Sequence, residues 1–281
     1  MEWVDRLNRM IEYVESHLDG VIDEQELARI TAMPLGLLQR MMPVIANTSM
    51  AEYIRHRRLS RAAMDLRMTN ARVIDIAIKY GYDSPAAFAV AFKRQHNAAP
   101  SAVRNGTARI ASYPRLTFAI KVRGGDEMNT RIVEREGFRV VGKTIEVMQD
   151  NRECITKFWD AANSDGTERR LLSLGRPPFL GVCYDMNAEG GFRYMIGLES
   201  TLDALPDDLE AVSIPPSTWA VFDCIGPMPN AMRSVWERVF TEFLPNEPYA
   251  HAGAPDLEAY DAGDASAENY HSEIWIPIVK K

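Results

Sequence analysis

The sequence predicts a helical N-terminal domain with two helix-turn-helix motifs, followed by an α+β domain of two strand–helix–strand–strand repeats. Two similar segments, each an apolar helix, a short turn and a second apolar helix, lie about 50 residues apart. Beyond residue 106, alternating apolar patterns that are typical of strands occur in two copies. The length of 281 residues is sufficient for two domains.

The two helix-turn-helix motifs span residues 27–42 and 76–92. In each of them a small residue, Ala28 or Ala77, lies within the first helix, where it allows the second helix to approach closely. Two such motifs on one chain can reach successive major grooves, roughly 34 Å apart on one face of DNA. The pattern therefore predicts binding to double-stranded DNA.

Local signals place several helix ends in this half. Asp23 with Glu26 three residues later is typical of a capping box. Ser84 before Pro85 combines a hydroxyl N-cap with a proline at the first helical position. Pro100 is expected to end the helical region. We place the DNA-binding domain at residues 1–108.

The second half is predicted as a linker at 109–127, with a possible strand at 117–122, and a domain at 128–281. Each repeat has one helix with apolar residues on one face, Ile155 to Ala162 in the first and Met232 to Phe243 in the second. Helices on one side of an antiparallel sheet should leave the other face free to form a cleft. The predicted strands are 138–144, 180–184 and 192–198 in the first repeat, and 218–223, 257–260 and 272–278 in the second.

The last of these strands carries a charged residue beside an aromatic one. Alternation places Ile274, Ile276 and Ile278 on one face, and Glu273 with Trp275 on the other. A carboxylate next to an indole suits an apolar cation, through charge pairing and cation–π attraction. The same pattern fits an exposed glutamate with an incidental tryptophan neighbour.

The net charge of −7 hides an asymmetry between the two halves. Residues 1–110 carry 15 basic and 12 acidic residues, whereas residues 111–281 carry 17 and 27. A basic N-terminal half beside an acidic one favours nucleic-acid binding by the first domain alone. A solvated helical surface with chance clustering would give the same counts.

Composition also bounds the location of the protein. The three cysteines, Cys154, Cys183 and Cys224, are odd in number and widely spaced, which favours free thiols in a reducing compartment. We see neither a signal-peptide pattern at the N-terminus nor an apolar run near the ~20 residues of a membrane span. Metal-ligand spacing is lacking among the cysteines and histidines. We expect a cytoplasmic protein with no membrane partner and no cofactor.

Residues 5–106 resemble the DNA-binding domain of the AraC/XylS family, most densely at 52–59 and 74–85, then at 88–94 and 99–104. The resemblance implies a transcription regulator that engages RNA polymerase. Asn47 and Asn97 stand where the family usually has glycine, and asparagine tolerates the left-handed backbone that such turns need. Gly81 fits the same requirement after the preceding helix.

In this family the exposed side chains of each recognition helix meet bases. In the first motif the matching positions are Gly36, Gln39 and Arg40. Gln39 can pair with adenine, and Arg40 can pair with guanine or contact a phosphate. The second set offers no hydrogen-bonding side chain to bases, so it can touch thymine methyl groups or read shape, with Lys93 and Arg94 expected on phosphates. That second set is Pro85, Ala86, Ala87, Ala89 and Val90.

Residues from about 112 to 281 resemble the GyrI-like effector-binding domain, through 131–134 leading to 138–142, then 192–197 and 273–278. The resemblance implies that Glu273 lies in a pocket floor and meets cationic or aromatic molecules. Arg193, if it faced the pocket, could pair with Glu273. The candidate pocket walls, each of which could equally be core, are Trp275, Tyr194, Met195 and Trp219.

The sequence thus predicts a transcription regulator, and not an enzyme, whose C-terminal domain senses a small cationic or aromatic effector. By family analogy the regulated genes serve efflux or detoxification. Two alternatives stay open. One is a hydrolase in which Glu273 activates water, and the other is an inhibitor module that binds proteins through its acidic surface.

Overall fold

A computed structural model describes residues 2–119, 128–148, 153–185, 191–202 and 204–281. The chain divides into two compact units. The first comprises Met1–Leu35 and Met50–Val122, and the second comprises Gly36–Ser49 and Arg123–Lys281. The helix after the first predicted turn therefore belongs to the second unit, although its neighbours in sequence belong to the first.

The first unit is helical, as predicted. Leu59, Ala63, Phe88 and Phe92 are among the side chains that form its buried core. None of the helices in the described residues has the length and apolar character needed to cross a membrane. The helices of this unit are α1 (Glu2–Ser16), α2 (Glu24–Thr31), α4 (Met50–Met68), α5 (Val73–Lys79), α6 (Pro85–His96) and α7 (Pro100–Arg104).

Two arginines of α4 bind within this unit. Arg57 makes a two-pronged ion pair with Glu15 of α1, with N–O distances of 2.7 and 2.6 Å. Arg58 donates to the backbone carbonyl groups of Leu18 and Gly20. These two charges stabilise the helical fold, so the basic excess of the sequence overstates what is available to DNA.

The segment after α7 is attached to the same helices. The amide side chain of Asn8 exchanges two hydrogen bonds of 2.9 Å with the backbone of Phe118, and the ring of Tyr113 stacks on His56 at 4.0 Å. Residues 117–119 of the predicted strand are not in a strand, and residues 120–122 lie outside the described residues. The domain limits at 108 and 128 stay predictions.

Helix ends follow the local signals with two exceptions. Asp23 caps α2 by accepting from the Gln25 amide, but Glu26 pairs with Arg29 and does not complete a capping box. Pro100 begins α7 and does not end the helical region, since proline is favoured at a first helical position. Asn47 and Asn97 adopt left-handed φ values of 51° and 52°, and Gly81 has φ +80°, as expected.

The second unit is an antiparallel sheet with helices on one face. It begins with α3 (Leu35–Ala46), of which only Leu35 belongs to the first unit. The described residues of the second unit form nine strands. Its further helices are α8 (Glu153–Ser164), α9 (Thr167–Leu172), α10 (Asn230–Arg238), a π-helical turn (Val239–Phe243) and α11 (Leu244–Asn246). Its strands are β1 (Thr130–Arg135), β2 (Phe138–Val147), β3 (Arg176–Tyr184), β4 (Phe192–Glu199), β5 (Glu210–Ile214), β6 (Ser217–Ile225), β7 (Tyr249–His251), β8 (Asp256–Tyr260) and β9 (His271–Lys280).

The two predicted repeats are confirmed. β2, α8, β3 and β4 form the first, and β6, α10, β8 and β9 form the second. The sheet order is β1–β6–β9–β8–β3–β4–β2–β5, with β7 paired to β9. The strand order is therefore symmetric about the antiparallel pair β3 and β8, where the two repeats meet.

Both faces of the sheet are occupied by buried side chains. On the helix face, Phe158 and Trp159 of α8 pack against a core that includes Ile196. On the other face, Trp219 and Met195 belong to a second buried core. The expectation that this second face is left free is not met at these residues, because their side chains form a buried core.

Candidate functional site

The predicted reading side of α6 is accessible in the first unit. Ser84 caps the helix by accepting from the Ala87 amide at 3.1 Å, while Phe88 and Phe92 are fully buried beneath. Val90 is 72% exposed. Ala89 is half-buried, and the other predicted contacts, Pro85, Ala86, Ala87, Lys93 and Arg94, are exposed.

The predicted reading side of α3 is covered. Gln39 and Arg40 keep only 4% and 8% of their surface, and Gly36 is half-buried. Six consecutive residues, 37–42, are buried, and such a run covers every face of a helix. The expectation that Gln39 and Arg40 are exposed is therefore wrong for this conformation.

Arg40 pairs with Asp256 of β8, whose side chain is only 1% exposed. The other oxygen of Asp256 accepts from His251 Nε2 at 2.6 Å. His251 Nδ1 in turn accepts from the Gly253 amide, which fixes the neutral tautomer with its proton on Nε2. Burial, together with the charge of Arg40, lowers the pKa of His251 to about 3. One oxygen of Asp256 thus pairs with Arg40, while the other accepts from a neutral histidine.

Next to Asp256 on the same face of β8, Glu258 accepts hydrogen bonds from three aromatic side chains. Trp236 Nε1 donates to one oxygen at 3.0 Å. The hydroxyl groups of Tyr194 and Tyr260 donate to the other, at 3.0 and 2.8 Å. Trp159 completes the set, since its indole N–H donates to the Tyr194 hydroxyl at 2.9 Å. We call these five residues the Glu258 cluster.

The Glu258 cluster lies at the junction of the two repeats. Gly181 of β3 pairs with Glu258 across the junction, and a Cβ atom on Gly181 would meet the Tyr194 hydroxyl at 2.2 Å. Only glycine leaves room there. Burial and the charge of Glu258 raise the pKa of Tyr194 and of Tyr260 well above the usual value, so both hydroxyl groups remain protonated donors.

Arg40 approaches the same cluster. Its guanidinium carbon lies 5.9 Å from the centroid of the Trp236 ring, within cation–π range. Burial lowers the pKa of Arg40, while the nearby Cys183 and Glu258 act in the opposite direction. Arginine stays protonated under such conditions. The helix face of the sheet therefore holds a cation that pairs with Asp256 and lies near the Trp236 indole, which is hydrogen-bonded to Glu258.

The predicted pocket residues fall on two faces. Tyr194 belongs to the Glu258 cluster, whereas Trp219 and Met195 are fully buried in the core of the opposite face. Glu273 and Trp275 share that opposite face, as alternation predicted, and the indole N–H donates to the carboxylate at 2.7 Å. The structure does not bring Glu273 together with Tyr194.

Glu273 already has a cationic partner from this chain. Arg131 donates to Glu273 at 2.5 Å and to Asp223 at 3.0 Å. Asp223, Glu273 and His271 bring their oxygen and nitrogen atoms within 4.8 Å of one another, but Arg131 supplies the positive charge there. Arg193 pairs with Glu210 and not with Glu273, which corrects the pairing considered from the sequence.

Sequence reasoning missed Glu258, although a signal was present. Residues 257–260 were recognised as a strand, and alternation puts Glu258 and Tyr260 on one face. Register then pairs Glu258 with Ile274, one of the isoleucines predicted to lie under the helices. Reading the two strands together would have placed a carboxylate on the helix face.

Comparison with known families agrees with this architecture. Residues 131–278 match the model of the integron-associated effector binding protein family. The chain belongs to this family. Its residues 27–106 also match a helix-turn-helix domain model. The predicted AraC-type N-terminal domain and GyrI-like C-terminal domain are both confirmed, so the chain is a transcription regulator with an effector-binding domain.

Two relatives from Salmonella typhimurium each match a little over a third of this chain. The regulatory protein SoxS of Salmonella typhimurium is 33% identical over 99 residues, which are 35% of this chain and 92% of SoxS. The transcriptional regulator Rob of the same organism is 32% identical over 107 residues, or 38% of this chain and 37% of Rob. Both matched relatives are regulators, and this chain spans little more than a third of the length of Rob.

A solved structure resembles the second half. SAV2435 bound to tetraphenylphosphonium covers 54% of this chain and 94% of its own, with a TM-score of 0.50 and 23% sequence identity. At that identity the likeness concerns the fold alone.

Proposed function

We propose that this protein is a DNA-binding transcription regulator whose second unit senses an aromatic cation at the Glu258 cluster. The observation that carries the proposal is a half-buried carboxylate that accepts hydrogen bonds from Tyr194, Trp236 and Tyr260, with Trp159 bonded to Tyr194. Carboxylates away from bulk water favour a cationic partner. Aromatic faces add cation–π attraction for the same ligand.

The counter-charge in this proposal is Glu258 and not Glu273, the residue predicted from the sequence. Arg131 already satisfies Glu273, so a ligand there would have to displace an arginine that is 45% exposed and a tryptophan hydrogen bond. Glu258 accepts its hydrogen bonds from the neutral side chains of Tyr194, Trp236 and Tyr260, and the nearby Arg40 forms its ion pair with Asp256 instead. A cationic ligand is therefore stabilised more at Glu258 than at Glu273.

Sensing suits this geometry better than hydrolysis does. Both oxygens of Glu258 already accept hydrogen bonds from indole or phenol groups. A general base needs an oxygen directed at the water that it activates. A carboxylate held on both oxygens is better arranged as a fixed counter-charge.

Calorimetric titration of the full chain tests the proposal. Tetraphenylphosphonium is the cationic probe, and triphenylphosphine oxide is a neutral aromatic control. We expect Glu258→Gln to weaken binding of the cation by at least about tenfold, or ~1.4 kcal/mol, and to spare the neutral compound. Glu273→Gln is the matched control and should change either affinity by less than about twofold.

The reverse result, a loss with Glu273→Gln alone, would support the pocket predicted from the sequence. No effect of either substitution would remove the proposed sensor site. The link to regulation is measured separately, as the change in affinity for a duplex selected from random DNA when tetraphenylphosphonium is added.

A further inference from the structure

The contacts of Arg40 on the sheet resemble those that a cationic effector would make. Its guanidinium pairs with Asp256, lies 5.9 Å from the centroid of the Trp236 ring and is attracted electrostatically by Glu258. Asp256 and Glu258 alternate along β8, so both carboxylates face the same side. One cation of this chain thus occupies the surroundings of the carboxylate proposed to bind the effector.

Arg40 is also the strongest predicted base reader of the first helix-turn-helix motif. In the present conformation its side chain is 8% exposed, and Gln39 beside it is 4% exposed. A helix that reads the major groove must present these side chains to base edges. Held in the second unit, α3 cannot do so.

We propose that Arg40 is an internal stand-in for the effector, so that the cation and the DNA-reading helix compete for the Glu258 cluster. When the effector binds, it replaces the guanidinium, and α3 is released with Gln39 and Arg40 free for DNA. This inference rests on the proposed function, because it takes the Glu258 cluster as the effector site.

Charge balance makes this exchange feasible. Removing Arg40 alone would leave Asp256 as an unpaired buried carboxylate, which is strongly unfavourable. A cationic effector restores the positive charge as Arg40 leaves, whereas a neutral one does not. The exchange therefore selects for cations even where a neutral aromatic molecule has the right shape.

Competition has a reciprocal consequence. A ligand whose binding-competent state is only a fraction of the population binds with an affinity reduced by that fraction. Whatever weakens the docking of α3 must then strengthen effector binding, and effector binding must strengthen DNA binding by the same linkage. These two effects define the test.

The test uses the full chain with two single variants and one control. Arg40→Met should bind tetraphenylphosphonium at least about tenfold more tightly than the wild type in calorimetry, since the competitor is gone. Asp256→Asn keeps the hydrogen bond from His251 and removes the charge that holds Arg40. The DNA probe is a duplex selected from random DNA in the presence of tetraphenylphosphonium. Without ligand, Asp256→Asn should bind this duplex at least about tenfold more tightly than the wild type does.

Arg193→Met is the matched control, because it breaks an arginine–carboxylate pair with Glu210 elsewhere on the sheet. It should change neither affinity by more than about twofold. The double variant Arg40→Met with Asp256→Asn removes both buried charges. If either single variant does not fold, as judged by thermal unfolding, the double variant decides the ligand measurement, where it too should bind tetraphenylphosphonium more tightly than the wild type.

An unchanged or weaker affinity of Arg40→Met for tetraphenylphosphonium overturns the inference, and so does an unchanged affinity of folded Asp256→Asn for DNA. Glu258→Gln separates this failure from that of the proposed function. If Glu258→Gln weakens cation binding while Arg40→Met does not strengthen it, the sensor site stands and the competition does not. If Glu258→Gln has no effect either, both are wrong.

Discussion

The second helices of the two helix-turn-helix motifs differ in what covers them. α6 exposes its reading side, with Val90 72% exposed, whereas residues 37–42 of α3 are buried around the whole helix. α6 offers no hydrogen-bonding group to bases at its predicted contact positions, but α3 carries Gln39 and Arg40. The helix able to discriminate bases is thus the covered one, and accessibility must be known before a recognition helix is judged by its side chains.

The largest expected effect separates the inner and outer sides of α6. Phe92→Ala removes a fully buried ring from the first unit's core and should lower the free energy of unfolding by about 3–5 kcal/mol. Val90→Ala, two positions earlier on the exposed side, should change it by less than about 0.5 kcal/mol. Urea denaturation of both variants measures the difference. Similar losses of unfolding free energy in the two variants would mean that the exposed side of α6 also packs against other residues.

DNA binding in the presence of tetraphenylphosphonium compares the two helices directly. Arg40→Ala should lose roughly 1–3 kcal/mol on the selected site and relax preference at one base position. Sites selected from random DNA by the wild type should show one sharp half and one blurred half, because α6 lacks hydrogen-bonding readers. Two equally sharp halves, or an Arg40→Ala variant with unaltered base preference, would contradict the comparison.

His251, which donates to the Asp256 partner of Arg40, should make the stability of the fold depend on pH. His251 has a pKa of about 3 in the fold, below the ~6.5 of an unfolded chain. Its contribution is therefore complete above pH 6.5 and is lost as the pH falls from 6.5 towards 3. Between pH 6.5 and 5.5 about 1 kcal/mol of this contribution is lost.

Comparison with His251→Gln isolates that contribution from the other histidines. His96 of α6 also has a lowered pKa, caused by burial, and it is unchanged in this variant. The difference in unfolding free energy between wild type and variant should shrink on acidification. A difference that stays constant from pH 7 to 5.5 would show that His251 is not held neutral.

The smallest expected effect concerns the charged end of α6. Lys93 is exposed and is predicted to contact a phosphate. Lys93→Ala should weaken binding to all sequences about equally and reduce the slope of log affinity against log salt by about one. Titrations of cognate and random duplexes at several salt concentrations provide the measurement. Loss confined to the cognate duplex would instead make Lys93 a base reader.

Local patterns predicted most of the fold because they reflect local physics. Alternation located all six strands of the two repeats, and the Ser84–Pro85 signal located the start of α6. The strands β1, β5 and β7 were missed, because β1 and β5 are exposed over more than half their length and β7 has only three residues. Such edge strands carry little periodic signal.

The candidate site was predicted less well, because it depends on contacts between distant parts of the chain. Tyr194 was chosen, but its partner Glu258 lies 64 positions away and was judged only as part of a strand. Glu273 satisfied the local pattern equally well, and its pairing with Arg131 joins residues 142 positions apart. The burial of Arg40 against Asp256 could not be predicted from the sequence around either residue.

The separation between α3 and β8 along the chain has a consequence for synthesis. Ribosomes add roughly 5–20 residues per second, and domains tend to fold as they emerge. Asp256 is made more than 200 residues after Arg40, so on the order of 10 s or more passes before the covering strand exists. During that interval every new molecule carries an uncovered reading helix and no sensor. We expect nascent or truncated chains that end before β8 to bind DNA without regard to effector.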